Sequence, residues 1–250
     1  RDLHEPYRRQ RQMCIRDRFN GIHEGLVQSW KDIFPKKGEI HFAGALENNE
    51  DTGTLQYLAS TAMEAGFSTR VLDMQALDLQ NGRFFDPAGE LVNRCFKLYP
   101  WEWMVDESPD GCLAEMEWLE PIWKLVMSNK AILATLYELF PDSPYVLPCY
   151  LSRPRSGLFC KKPIFSREGH NVSVVDIRDW EEYVRIAETE GDYNTGAYVY
   201  QEYVEPTAYS GRYPVIGSWI IGGEAAGIGI RENRMEVTDN LSEFVPHIIG

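Results

Sequence analysis

The sequence predicts a mixed chain, an α/β unit followed by an α+β lobe, from three observations. Between residues 22 and 73 helical and extended patterns alternate, the order that builds a βαβ unit and a parallel sheet. Beyond residue 141 the prolines Pro141, Pro144, Pro148 and Pro154 forbid a long regular helix, and short extended runs take over. Between them, residues 100–129 are rich in acids and carry Trp101, Trp103, Trp118 and Trp123, the composition of a segment that packs one lobe on the next.

The elements follow in order. Over 22–34 the apolar positions Ile22, Leu26, Val27, Trp30 and Ile33 recur at helical spacing, and Pro35 and Gly38 close the helix. Residues 39–43 read as a strand, 55–65 as a helix ended by Gly66, and 68–73 as a second strand, parallel to the first because a crossover helix joins them. A further strand is expected at 92–99. Residues 131–140 place Ile132, Leu133, Leu136, Tyr137 and Phe140 on one helical stripe. Strands are then expected at 157–165 and 197–204, with a helix at 177–187 between them. Residues 212–221 and 225–231 should pair as a hairpin, because Gly222-Gly223 suits a tight primed turn.

A chain of 250 residues, 44% hydrophobic, can bury a substantial core. No apolar run reaches the roughly 18 residues of a membrane span, and no cleavable leader opens the chain, so a cytoplasmic address is expected. The net charge of −13 argues against nucleic acid, whose phosphates need a basic surface, and suits a cationic ligand such as a polyamine. Cys14, Cys95, Cys112, Cys149 and Cys160 are odd in number and never spaced Cys-x-x-Cys, so neither a disulfide framework nor a zinc site is expected. His23, His41, His170 and His247 have no metal-ligand spacing. Residues 1–18 hold +3 against −16 for the remainder and show no hydrophobic period. They read as a non-native or disordered leader, with a basic arm for an acidic partner as the alternative. The expected domains are 19–115, an α/β substrate domain, and 116–250, a pair of nucleotide-binding lobes.

Several residue groups carry candidate chemistry. Lys130 opens a helix and Lys162 precedes Pro163 in an extended stretch, so two ammonium groups on separate elements could grip phosphates from two sides. Residues 161–171 put Lys161, Lys162, Ser166, Arg167, Glu168 and Gly169 into one segment, the composition of a loop that folds over phosphates. In the strand Tyr200-Gln-Glu-Tyr-Val204, backbone groups could read a purine edge while Glu202 or Glu205 accepts from ribose hydroxyls. Arg231 could stabilise charge on a transferred phosphoryl group. Glu50 and Asp51 lie where a helix begins beyond a parallel strand, placed to bind an amine; helix capping by Asp51 or Thr52 is the plainer reading.

Taken in order, Glu120-Pro-Ile-Trp123, Asn129-Lys-Ala-Ile-Leu133, Lys162-Pro-Ile-Phe-Ser-Arg-Glu-Gly-His-Asn171, Tyr200-Gln-Glu-Tyr-Val204 and the run from Gly222 to Arg231 resemble the C-terminal portion of the glutathionylspermidine synthase-like ATP-grasp family. The resemblance covers residues 19–250 and is strongest to members that are acid–amine ligases. It implies an ATP-grasp-type two-lobe ligase fragment with a preceding βαβ unit, which joins a carboxylic acid to an amine using ATP and Mg2+. In this resemblance Lys130 and Lys162 match the phosphate lysines, and Glu168 and Gly169 the phosphate-covering loop. Gln201, Glu202, Tyr203 and Val204 match the adenine-reading hinge, Arg231 a catalytic arginine, and Glu50 with Asp51 the acidic pair that faces the amine. The family's Arg-Phe-Asp element and its acidic and asparagine metal ligands belong to a stretch preceding the matched part, so the ligase is expected to be incomplete as given. A threonine that helps hold glutathione stands here as Leu98, which argues against glutathione as the acid. The alternative to a ligase is a non-catalytic nucleotide-binding module.

Overall fold

The computed structural model describes residues 20–179, 183–193, 196–235 and 242–247. The residues expected to form a leader lie outside these. The chain divides into two units, the first running to Leu125 and adding Ser218–Ile228, the second comprising Val126–Gly217 and the residues from Gly229 on.

In the first unit, β1 (Glu39–Gly44), β2 (Ser68–Asp73), β6 (Arg94–Leu98) and β7 (Glu117–Leu119) form a parallel sheet of order β2-β1-β6-β7. Strand β1 is central, so both faces of its pleat are buried. One face sends Ile40 and Phe42 toward α1 (Ile22–Ile33) and α2 (Asn49–Glu64), where Val27, Trp30, Leu55, Ala59 and Phe67 complete a core. Each fully buried side chain of this size contributes about 1.5–3 kcal/mol. The other face sends Ala43 and Cys95 toward a second core with Phe84, Val92, Met104 and Trp101, the last two on α3 (Trp101–Glu107).

Local chemistry fixes the helix ends. The Asn48 side chain caps α2 by accepting from the Glu50 N–H at 2.9 Å, while Glu50 and Asp51 occupy the first turn, where the helix dipole favours acids. Asn48 therefore holds the cap that sequence reading offered to Asp51 or Thr52. At the other end Gly66 adopts φ +94°, and Lys37 donates to the Ala65 carbonyl at 2.5 Å. A glycine is also required at Gly44, where a Cβ would stand 2.9 Å from Leu55 and 3.0 Å from the Leu98 carbonyl. A small antiparallel sheet of β3 (Asp78–Gln80), β4 (Arg83–Phe85) and β5 (Leu91–Val92) was not anticipated. Its β4–β5 turn is organised by Asp86, whose carboxylate accepts from the backbone of Ala88 and Glu90 and from Arg70.

In the second unit, β8 (Cys149–Tyr150), β9 (Gly157–Pro163), β10 (Ser173–Ile177), β11 (Tyr183–Glu188) and β12 (Tyr198–Glu202) form a sheet of order β11-β10-β9-β12-β8. All four of its pairings are antiparallel. Helix α4 (Ala131–Leu139) covers one face, packing Ala134 on Cys149 and Val199. Phe159, Val175, Ile177 and Tyr200 cluster on the other. The expected hairpin is present as β13 (Tyr213–Ile221) and β14 (Glu224–Asn233), and β15 (Glu243–Val245) pairs with β14.

The helix expected at 177–187 is not found among its described residues: β10 ends at Ile177 and Tyr183–Glu188 is an antiparallel edge strand. All six residues of β11 are exposed. With neither side buried, its sequence carries no strong apolar alternation, and the acids nearby imitate a polar helix. Among the described residues no helix is long and apolar enough to cross a membrane.

Candidate functional site

The two lysines singled out in the sequence meet the same end of β9. Lys130 stands at the N-cap of α4; its backbone N–H donates to the Ile164 carbonyl at 2.8 Å, two residues beyond Lys162. Asn129 supplies the side-chain oxygen at this helix start, accepting from the Ala131 N–H at 2.9 Å. The Lys130 ammonium donates to the Ser166 carbonyl at 2.5 Å and to the Ser166 hydroxyl at 2.8 Å.

Lys162 lies on β9 opposite Val199 of β12, and strand alternation puts it on the face shared by Cys160 and Gln201. Its ammonium donates to Gln201 Oε1 at 2.7 Å. The neighbouring Lys161 faces the other side, 4.0 Å from the centre of the Tyr198 ring. Burial pushes the Cys149 and Cys160 thiols up, opposed in each by the charge of Lys162, so both remain protonated at neutral pH.

Between Ser166 and Val172 the chain makes a tight turn in which Glu168, Gly169 and Asn171 have φ of 56°, 74° and 55°. Three left-handed residues within four are uncommon for any chain with side chains, and His170 N–H donates to the Arg167 carbonyl inside the turn. The hinge after β12 differs from its expected form. The N–H of Glu202 is donated to the Pro148 carbonyl at 2.8 Å and that of Tyr203 to Leu158 at 3.0 Å, so neither is open to a ligand. The Val204 N–H has no hydrogen-bond partner among the described residues.

The remaining predicted residues fall elsewhere. Arg231 is on β14 beside Phe244 of β15, its guanidinium 5.7 Å from the ring centre. Glu50, exposed, and Asp51, half-buried, belong to the first unit, in the loop-to-helix passage beyond the C-terminal end of β1. Leu98 packs against the first core of that unit and offers no polar group.

Sequence reading passed over Ser166 as the partner of Lys130 and over the segment from Thr189 to Tyr193, which ties down the turn. It also passed over Lys97. That buried ammonium donates to the Tyr99 carbonyl at 2.7 Å and lies 3.9 Å from the Trp101 ring centre. Burial pushes its pKa down to about 8. A lysine flanked by Phe96 and Leu98 in a strand could have been recognised only as a charge inside an apolar run.

Among the described residues no three His, Cys, Asp or Glu side chains are grouped to hold a metal ion.

Comparison with known proteins places the chain in a family. The chain is 35% identical over 244 residues to a Haemophilus influenzae protein named as an acid–amine ligase, covering 93% of this chain and 62% of that protein. It is 28% identical over 236 residues to a trypanothione synthetase of Crithidia fasciculata, covering 83% of this chain and 35% of the relative. The chain thus spans less than two thirds of the length of either. Among solved structures, one named as a γ-glutamylcysteine synthetase from Methylobacillus flagellatus shares the fold, with a TM-score of 0.58 at 10% identity over 92% of this chain and 75% of that one. The family model described as glutathionylspermidine synthase pre-ATP-grasp matches residues 6–250, so the chain belongs to that family.

Proposed function

We propose that this chain is part of an ATP-dependent ligase that joins a carboxylic acid to an amine through an acyl phosphate. The observation that carries the reading is the gathering, in one unit, of Lys130, Lys162, Gln201 and the left-handed turn at Glu168 and Gly169. This donor set suits phosphate oxygens: Lys130 donates to Ser166, and Lys162 donates to the neutral side chain of Gln201, which an anionic oxygen would outbid. With the N–H groups of Glu202 and Tyr203 engaged, Val204 is left as the hinge residue whose N–H can read a purine acceptor.

In the proposed reaction the carboxylate attacks the γ-phosphorus of ATP, forming the acyl phosphate and releasing ADP. The amine then attacks the acyl carbon, the C–O bond to phosphate breaks, and phosphate leaves with the amide formed. Lys130, Lys162 and Arg231 neutralise charge on the phosphates, and Glu50 with Asp51 orient the amine, which attacks in its neutral form and loses a proton to the departing phosphate as the amide forms. A polyamine-like substrate fits that acidic pair and the net charge of −13. Magnesium would supply charge neutralisation at the phosphates when bound, and the described residues offer no cluster of metal ligands to hold it.

The test is ATP binding followed by calorimetry, with thermal unfolding alongside. Lys162→Ala should weaken ATP binding about tenfold or more, the loss of one charge-assisted contact, while the melting temperature without ligand stays close to the parent value. Equal affinity in the variant and the parent would refute the assignment.

A further inference from the structure

The turn that carries Glu168 and Gly169 is secured by a second segment outside the lysine cluster. Both halves of the Asn171 amide are engaged: Nδ2 donates to the Gly191 carbonyl at 2.8 Å, and Oδ1 accepts from the Tyr193 N–H at 2.8 Å. Thr189 works on the same turn. Its hydroxyl donates to the Gly169 carbonyl, accepts from the Val172 N–H at 2.9 Å, and its own N–H donates to the Val172 carbonyl at 2.9 Å. The approach is close enough that only glycine fits at Gly191, where a Cβ would stand 2.5 Å from the Cβ of His170 and 2.8 Å from Asn171 Oδ1. The two ends of the turn therefore differ. At Ser166 it is held by a lysine ammonium that an anion can claim; at Asn171 it is held by an amide with both of its groups already satisfied.

We propose that Asn171 is a positioning residue for nucleotide binding, fixing the left-handed turn from the side away from Lys130 so that Glu168 and Gly169 meet the phosphates preformed. It touches no phosphate itself and acts through the turn. Asparagine suits the position twice, because it tolerates φ near 55° and because its amide supplies one donor and one acceptor. Phosphates then replace Ser166 on Lys130 while the far end stays fixed, so ordering the loop costs less at the moment of binding. This inference rests on the nucleotide reading of the same unit.

The experiment uses the full chain with Mg-ATP as the probe. Asn171→Gly keeps the backbone conformation and removes both bonds; Gly191→Ala attacks the clasp from the opposite side. Each should weaken Mg-ATP binding about tenfold by calorimetry, with faster tryptic cleavage after Arg167 that ATP protects against less well than in the parent. Asn171→Asp, which retains the acceptor for Tyr193, should fall between the parent and Asn171→Gly. A merely structural role would lower the melting temperature and leave the affinity of the folded protein unchanged. Parental affinity in both Asn171→Gly and Gly191→Ala overturns the role of Asn171 and leaves the nucleotide reading standing. Failure of the parent protein itself to bind Mg-ATP overturns that reading, and the role of Asn171 with it.

Discussion

Strands β1 and β11 have the same length and opposite surroundings. In β1 five of six residues are buried, and Ile40, Phe42 and Ala43 reach two separate cores; in β11 all six are exposed. The first unit thus rests on apolar burial around a central parallel strand. The second has smaller clusters, and its ordering leans more on hydrogen bonds between loops, such as those of Asn171, Thr189 and Lys130. The contrast also separates tasks, for the charged groups proposed to handle phosphate lie in the less heavily packed unit, where polar side chains can change partners at low cost.

Truncation at the two strands should expose the contrast most strongly. Phe42→Ala removes a fully buried ring that contacts Trp30 and Phe96, and should cost about 3–5 kcal/mol in denaturant unfolding. Ile186→Ala on β11, where the side chain is 60% exposed, should change stability by about 0.5 kcal/mol or less. Similar costs at the two sites would dissolve the distinction.

The next effect lies inside the first core. Trp30 Nε1 donates to Thr61 Oγ1 at 2.8 Å, fully buried. Thr61→Val keeps the shape and leaves that indole N–H unpaired, so equilibrium unfolding should register a loss of about 1–3 kcal/mol.

The smallest effect is a dependence on pH. The ring nitrogens of His41 are buried, with Nε2 at 3.7 Å from Glu39 and 3.9 Å from Asp86, both of which pair with Arg70. Burial holds the imidazole below its ordinary value of 6.5, the nearby carboxylates opposing and Arg70 assisting. Above that value both folded and unfolded states are neutral. As pH falls through it the unfolded chain takes up the proton first, so stability is lost on acidification, at no more than about 1.4 kcal/mol per pH unit from this group. Comparing melting curves between pH 7 and 5.5 should show a shallower decline for His41→Gln than for the parent, and an identical decline would remove His41 from the account.

The same contrast explains what could be read in advance. Helix α1, strand β1 and the C-terminal part of α2 declare themselves because burial imposes a period: Val27 and Trp30 recur at helical spacing and Gly66 marks the stop, whereas the first turns of α2 from Asn49, ahead of the expected start at 55, carry no buried side chain to signal them. The β13–β14 hairpin declares itself through Gly222 and Gly223, whose φ of 60° and 88° suit the tight turn they signalled. Strand β11 gave no such signal because nothing buries it. At the candidate site, Lys130 and Lys162 were found by residue type and order along the chain. Thr189 and Gly191 were not, and Ser166 was read only as part of the phosphate loop and not as the partner of Lys130, since such residues in a polar stretch acquire meaning only from the partner the fold brings to them. The occupied N–H groups of Glu202 and Tyr203 were illegible for a related reason: backbone bonding depends on register with Pro148 and Leu158, and side chains do not encode it.

The parallel arrangement around β1 has a consequence for how the chain assembles. Glu39 finds Ser68 across one helix, whereas His41 must wait for Cys95, well downstream, before its other flank is paired. On a ribosome the segment from β1 to β2 can therefore close early as a helix-bridged pair, leaving one edge of β1 open until β6 is synthesised. That interval leaves the most deeply buried strand of the first unit with one edge open to mispairing.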